Sequence, residues 1–422
     1  MAQTIKRIVA RQIFNSRGLP TLEGILELSD GRVATASIGQ GVHESKYAAE
    51  YLFDGDDTYS GKSVLRSMKF VNELLGPKLI NVDISRVKDI DIWLYKADPT
   101  ESKSTIGANT TLLISYLIYK AAALSVNMPV YRFINQFYNA NFGPREIQRL
   151  PSPEMTIISG GVHGKDSISF QDFGVVPSTG FSFSKSFHIG VELYHEITKV
   201  FLNRNIFAGL GEDGGYVPNL SANADALEII KEAIMKRNLT VGIDIFFALD
   251  IAASFFYKNG KYYMSDQPNP MDGVKMAEYI ETLSKEYRLL IVEDPVDESD
   301  TEGWKAMMRI MGERAYVMGD DLTATNKKQL EHAIKEQLCN LVDVKLSQRG
   351  TIWEAMEFIG GARKGNMKIN VSQSAIETND DFLADFAVGV QADFVKFGAP
   401  ARGERIAKYN RLLKIEEEIT KK

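Results

Sequence analysis

A single cysteine, Cys339, leaves this chain without any internal disulfide, as expected of a protein kept in a reducing cytoplasm. Positive charge is not in excess either. The net charge of −6 argues against nucleic acid, whose binding needs a basic face. Long hydrophobic runs are missing too: the longest apolar stretch, 241–257, is broken by Asp244 and Asp250 and is too short to span a bilayer. The opening MAQTIKRIVARQIF has no continuous apolar core, so it reads as no signal peptide. Low-complexity segments and short-period repeats are absent. What remains, 44% apolar and 25% charged residues, is ordinary for a soluble globular enzyme. A chain of 422 residues has room for two domains, or for one large barrel with a smaller partner. The expectation is a soluble cytoplasmic protein that binds neither nucleic acid nor membrane.

Two textures divide the chain. Strand patterns cover Ile5–Phe14 and Thr21–Leu28, separated by the turn-like SRGLP and closed by Ser29-Asp30-Gly31. Helical periodicity then dominates in 62–75 and 106–125. This predicts an α+β domain over 1–140, with the Asn-, Gly- and Pro-bearing segment 139–153 as linker and a second domain over 141–422. There, short apolar strands are expected at Phe246–Asp250, Leu289–Glu293, Ala315–Asp320, Leu341–Lys345, Lys368–Gln373 and Phe394–Lys396. After a first interval of 43 residues, their polar ends follow at 27, 25, 28 and 23, the length of one strand, one helix and two short loops. A repeated βα unit means a parallel sheet. Polar groups at so many strand ends favour an α/β barrel, whose C-terminal face collects catalytic residues.

Asp250, Glu293 and Asp320 each follow an apolar strand: FFALD, LLIVE and YVMGD. Three carboxylates converging on one face repel unless a cation neutralises them, and hard oxygen ligands suit Mg²⁺. One such acid alone more often caps a helix or pairs with a lysine; three at successive strand ends favour the metal. Lys345 in VDVKL and Lys396 in FVKF alternate with apolar neighbours and so should point into the barrel. A lysine near a divalent cation and a second lysine has its neutral form favoured and can act as a base, while a structural pairing with the same carboxylates stands as the alternative. GEDGG (211–215) sets Glu212 and Asp213 before two glycines that let backbone approach a ligand, or simply make an acidic turn. His163, one of five histidines, lies in the glycine-rich GGVHGKD.

With these residues assembled, the chain resembles the enolases, Mg²⁺-dependent phosphopyruvate hydratases, nearly end to end. NSRGLPT is similar to the family's DSRGNPT, GVHE (41–44) to its mobile-loop motif, IGANTTL to IGANAIL and SFQDF (169–173) to DFQEF. LDIAAS, VEDPVDESD, GDDLTATN, VKLSQRGT and GAPARGERIAKYNRLLKIEEE follow in order. The resemblance implies an N-terminal α+β cap on a modified (βα)8 barrel, a homodimer, and a small carboxylate substrate. It makes Asp250, Glu293 and Asp320 the Mg²⁺ ligands, Lys345 the base and Lys396 a substrate anchor, with His163, Gln171 and Asp172 around the substrate.

The departures are as informative. The family's GDEGG is inverted, placing Asp213 at the catalytic acid with Glu212 one step earlier. SGAST reads SIGQG, so Gly39 replaces a serine ligand of a second metal and one Mg²⁺ is expected. The phosphate-binding SHRSGET reads SQSAIET, giving Gln373, Ser374 and Ala375 where the family has histidine, arginine and serine. Losing a charged hydrogen bond costs roughly 1.5–3 kcal/mol. Arg349 in SQRGT, or Lys165, could return a cation. These features predict an enolase-like lyase in the family's glycolytic reaction, 2-phosphoglycerate to phosphoenolpyruvate, with a hydroxy-carboxylate bearing another distal group as its altered substrate. The alternative is an inactive homologue kept as a binding or scaffold protein. An epimerase would need a second base opposite Lys345, for which His163 is the candidate.

Overall fold

The computed structural model describes residues 3–41, 45–164 and 168–421, and His163 by its backbone alone. Strands β1 (Ile5–Phe14), β2 (Pro20–Leu28) and β3 (Val33–Ser37) form an antiparallel meander. Alternation along β2 buries Leu22, Leu26 and Leu28 against the helix Ala108–Ser125. Fifteen of that helix's residues are buried, so it is apolar all round, as a helix enclosed on every side must be. Beyond it lies the barrel helix Ile352–Lys364, whose first N–H donates to Ser115 Oγ at 3.0 Å.

The single helix expected over 62–75 is instead Leu65–Lys69, a π-helical turn Phe70–Leu75, and Gly76–Leu79. Within the π-turn, Asn72 reaches the edge of β1, accepting from Ala10 N at 2.7 Å and donating to Ala10 O at 3.0 Å. Pairing with an exposed strand edge is a reason for a helix to widen locally.

Eight strands close the barrel: β4 (Ser152–Ser159), β5 (Asp172–Pro177), β8 (Ile245–Asp250), β11 (Leu289–Glu293), β12 (Tyr316–Gly319), β13 (Leu341–Val344), β14 (Lys368–Ser372) and β15 (Phe394–Lys396). β15 pairs back onto β4 and brings Lys396 opposite Glu154. A hairpin of β6 (Ala208–Leu210) and β7 (Tyr216–Pro218) extends from β4, and a ribbon of β9 (Tyr257–Lys258) and β10 (Lys261–Tyr262) fills part of the long interval after Asp250. The six strands expected from sequence are parallel to their neighbours among them, whereas β5, outside that reading, runs antiparallel to both β4 and β8. Among the described residues, no α-helix separates β4 from β5, and a parallel crossover needs one. Reversal carries the N-terminal end of β5 to the rim where the other strands end, so Asp172 lies opposite both Ser159 and Asp250.

The barrel lumen holds its own apolar cluster, Val176, Ala248, Ile291, Met318, Leu341 and Phe394, separate from the main core between strands and helices. Two residues beyond the five cluster members on parallel strands, the positions turn polar: Asp250, Glu293, Asp320, Asp343 and Lys396. Among the described residues no single helix is long and apolar enough to cross a membrane.

Candidate active site

Each lysine–carboxylate pair follows from strand register. Glu293 stands opposite Asp250 across β11 and β8, and Lys396 Nζ donates to both, at 2.6 Å to Glu293 Oε2 and 2.8 Å to Asp250 Oδ2. Lys345, one residue past β13, donates to Asp320 Oδ2 and lies 3.7 Å from Asp343 Oδ2. Burial pulls both ammonium groups down, but Asp320, Asp343 and Glu293 outweigh it at Lys345, and Asp250 and Glu293 at Lys396, so both are held well above the ordinary lysine range. Among the protein's own charges Lys345 is thus favoured as the ammonium; the neutral amine expected from sequence is the form that a divalent cation beside it would favour.

The acids crowd each other as well. Burial, then Asp250, raises Glu293 well above the ordinary glutamate range. Burial lifts Glu154, below Lys396, to about 7. Ligand oxygens of Glu293, Asp320 and Asp343 lie within 4.8 Å of one another, as do those of Asp294, Asp320 and Asp321. Glu293 Oε1 is buried without a hydrogen-bond partner. A hard-oxygen set with an orphaned carboxylate atom fits a divalent cation. Asp294 is less suited, since its two oxygens accept the Asp320 and Asp321 N–H groups. Asp250 stands at the edge of this group, held by Lys396 and by Gln171 Nε2 at 3.0 Å.

The structure separates residues that sequence reading grouped. Asp213 lines the cleft with Lys345, Lys396 and Gln171, whereas Glu212 turns to an ion pair with Arg17 of the cap. Asp213 is itself held by Arg405 Nη2 at 3.0 Å. Gln373 and Ser374 line the same cleft. Gln373 donates to Phe397 O at 2.8 Å, and Ser374 Oγ meets Ser347 Oγ at 2.5 Å. Asp172 lies deeper, accepting from Ser159 Oγ at 2.8 Å. Arg349 points out of the cleft: its guanidinium donates to Ala324 O at 2.9 Å and to Tyr47 O at 2.5 Å, so it does not supply the missing cation. Lys165 and residues 42–44 lie outside the described residues, as does the His163 side chain.

Gly39 has a local cause. A Cβ there would stand 2.6 Å from Glu377 Oε1, and that carboxylate is fixed by Ser374 N at 3.0 Å and Lys408 Nζ at 3.2 Å. Gly39→Ser should therefore lower stability by about 1–3 kcal/mol through overpacking, read from the denaturant midpoint. An unchanged midpoint would mean that Glu377 moves aside freely.

Residues 5–134 match the family model described as the enolase N-terminal domain, and 147–422 match that of the enolase C-terminal TIM barrel domain. The chain belongs to the enolase family. A curated relative, an enolase from Acidothermus cellulolyticus, is 37% identical over 415 residues, covering 98% of this chain and 94% of that protein. At the positions of the family's motifs this chain has Asp250, Glu293, Asp320, Lys345 and Lys396 at one rim, and Gln373, Ser374 and Ala375 in place of the motif's histidine, arginine and serine. Sequence reading missed Asp343, Gln348 and Arg405. Asp343 was accessible, since it lies two residues before Lys345 and a strand's period of two puts both on one face. Gln348 Nε2, which donates to Asp320 Oδ1 at 3.1 Å, and Arg405 carry no local pattern.

Proposed function

We propose that this enolase-family lyase removes the proton α to a carboxylate with Lys345 and assists departure of a β-leaving group with Asp213. The supporting observation is that Lys345, Lys396, Asp250, Asp320 and Asp213 converge on one cleft at the barrel rim. Held by Asp250, Glu293 and Asp320, Mg²⁺ would supply fixed positive charge where the substrate's carboxylate gains negative charge. Lys396 anchors that carboxylate, Lys345 takes the α-proton after its ammonium has released a proton to solvent, and a protonated Asp213 gives a proton to the leaving oxygen. A chain kept only as a scaffold would have little use for two buried lysines among carboxylates, since apolar replacement of buried ion pairs is often neutral or stabilising.

The family reaction is dehydration of 2-phosphoglycerate. Among the described residues lining the cleft the cations are Lys345 and Lys396, and both are paired with carboxylates. The distal wall is the uncharged Gln373, Ser374 and Ala375, so the preferred substrate is a hydroxy-carboxylate with an uncharged distal group. The test is turnover of 2-phosphoglycerate with Mg²⁺, followed at the absorbance of phosphoenolpyruvate. Wild type should be poor and Ser374→Arg about ten- to hundredfold better in kcat/KM, the worth of one charge-assisted hydrogen bond. Efficient wild-type turnover, not improved by Ser374→Arg, would show that the phosphate is bound by other means.

A further inference from the structure

Asp343 belongs to the carboxylate group around Glu293 and Asp320 but has no part in the proposed reaction, and it is fully buried in the lumen, two residues along β13 from Leu341 of the apolar cluster. Its oxygens accept from Asn370 Nδ2 at 2.8 Å and from Ser372 Oγ. Both donors belong to β14, where Asn370 is the register partner of Asp343. The carboxylate is thus held on two sides and cannot swing. A fixed, desolvated charge at a position where an apolar side chain would extend the cluster is costly unless a cation uses it.

Asp320 is fully engaged without a metal: Oδ2 accepts from Lys345 and Oδ1 from Gln348. A divalent cation that binds Asp320 must therefore displace the Lys345 ammonium, and like charge then repels it. The displaced ammonium needs a carboxylate within reach. Asp250 and Glu293 already hold Lys396. Among the described residues, Asp343, on the same face of the same strand and 3.7 Å from Nζ, is the other carboxylate that Lys345 pairs with. We propose that Asp343 is a positioning residue, the counter-ion that receives Lys345 when a cation takes Asp320. It thereby couples cation binding to the placement of the base. The proposal rests on the cation centre proposed above and adds a residue outside that centre's ligand set.

The test is a double-mutant cycle on Mg²⁺ affinity, measured by titration calorimetry without substrate, using wild type, Asp343→Asn, Lys345→Ala and the double variant. Asp343→Asn should weaken Mg²⁺ about tenfold, within the usual range of a coupling between sites. Lys345→Ala should bind Mg²⁺ at least as tightly as wild type, because the competing ammonium is gone. In the Lys345→Ala background Asp343→Asn should then have no effect, since Asp343 acts through that lysine. Equal weakening in both backgrounds would make Asp343 a direct cation ligand, and no weakening in either would make it purely structural; each result overturns the proposal. Asp343→Leu, which extends the apolar cluster, should lose affinity as Asp343→Asn does and serves if the polar variant folds poorly. Wild type that fails to bind Mg²⁺ at all would overturn the cation centre itself, and this inference with it.

Discussion

Lys345→Ala should lower kcat by about 10²–10⁴-fold, the range for losing a positioned general base, while leaving Mg²⁺ binding intact. Two features make the effect large. Lys345 and Lys396 are the cations among the described residues lining the cleft, and Lys396 is committed to Asp250 and Glu293, so no second amine stands ready to replace it. The same change also removes the partner of Asp320. A loss of activity through metal loss would therefore look similar, and calorimetric Mg²⁺ affinity separates the two causes. Substrate in this assay is whichever hydroxy-carboxylate wild type turns over best. Wild-type activity in the alanine variant would move the base elsewhere and take the proposed mechanism with it.

The second large effect belongs to Arg405, which is completely buried. Its guanidinium donates to Ser374 O at 3.1 Å, Ala375 O at 2.5 Å and Glu212 O at 3.1 Å, and pairs with Asp213 at 3.0 Å. One side chain of the C-terminal helix Gly403–Thr420 thus ties together the loop that carries the proposed acid and the loop that replaces the phosphate site. Arg405→Ala should cost about 3–5 kcal/mol, the usual penalty for breaking a buried charged pair, because three carbonyls lose their donor and the Asp213 carboxylate its counter-charge. Denaturant unfolding reads the stability loss. In the fraction that remains folded, kcat should fall as well, since Asp213 is no longer held. A loss below 1 kcal/mol would show that water replaces the guanidinium at these carbonyls.

How much of this was legible depended on whether a residue's role is set along the chain or across it. β8, β11, β13 and β15 read clearly because strands buried on both faces are short apolar runs, and an acid or lysine at the end of such a run stands out. β4 and β5 did not. SPEMTIIS holds Pro153, which breaks a strand pattern, and Glu154 and Thr156, which share the face that Glu154 turns toward Lys396, and the reversed β5 falls outside any βα repeat. Of two adjacent acids, which one enters the cleft depends on Arg17 drawing Glu212 toward the cap, a contact almost 200 residues away in sequence. The direction of Arg349 was equally hidden. It follows the short 3₁₀ turn Leu346–Gln348, and its partners Tyr47 and Ala324 come from two remote loops.

The helix Ala108–Ser125 bears on how such a chain can diversify. It belongs by sequence to the N-terminal part, yet its residues serve both halves. Lys120 reaches Asp380 at 2.8 Å and Ser115 receives Ile352 N, while Asp380 also accepts from Ser37 N at 2.9 Å. Because this helix is buried on nearly every face, exchanging either half for a foreign counterpart should expose apolar surface. New specificity is then expected to arise chiefly in the rim loops, where 373–375 already differ from the family pattern.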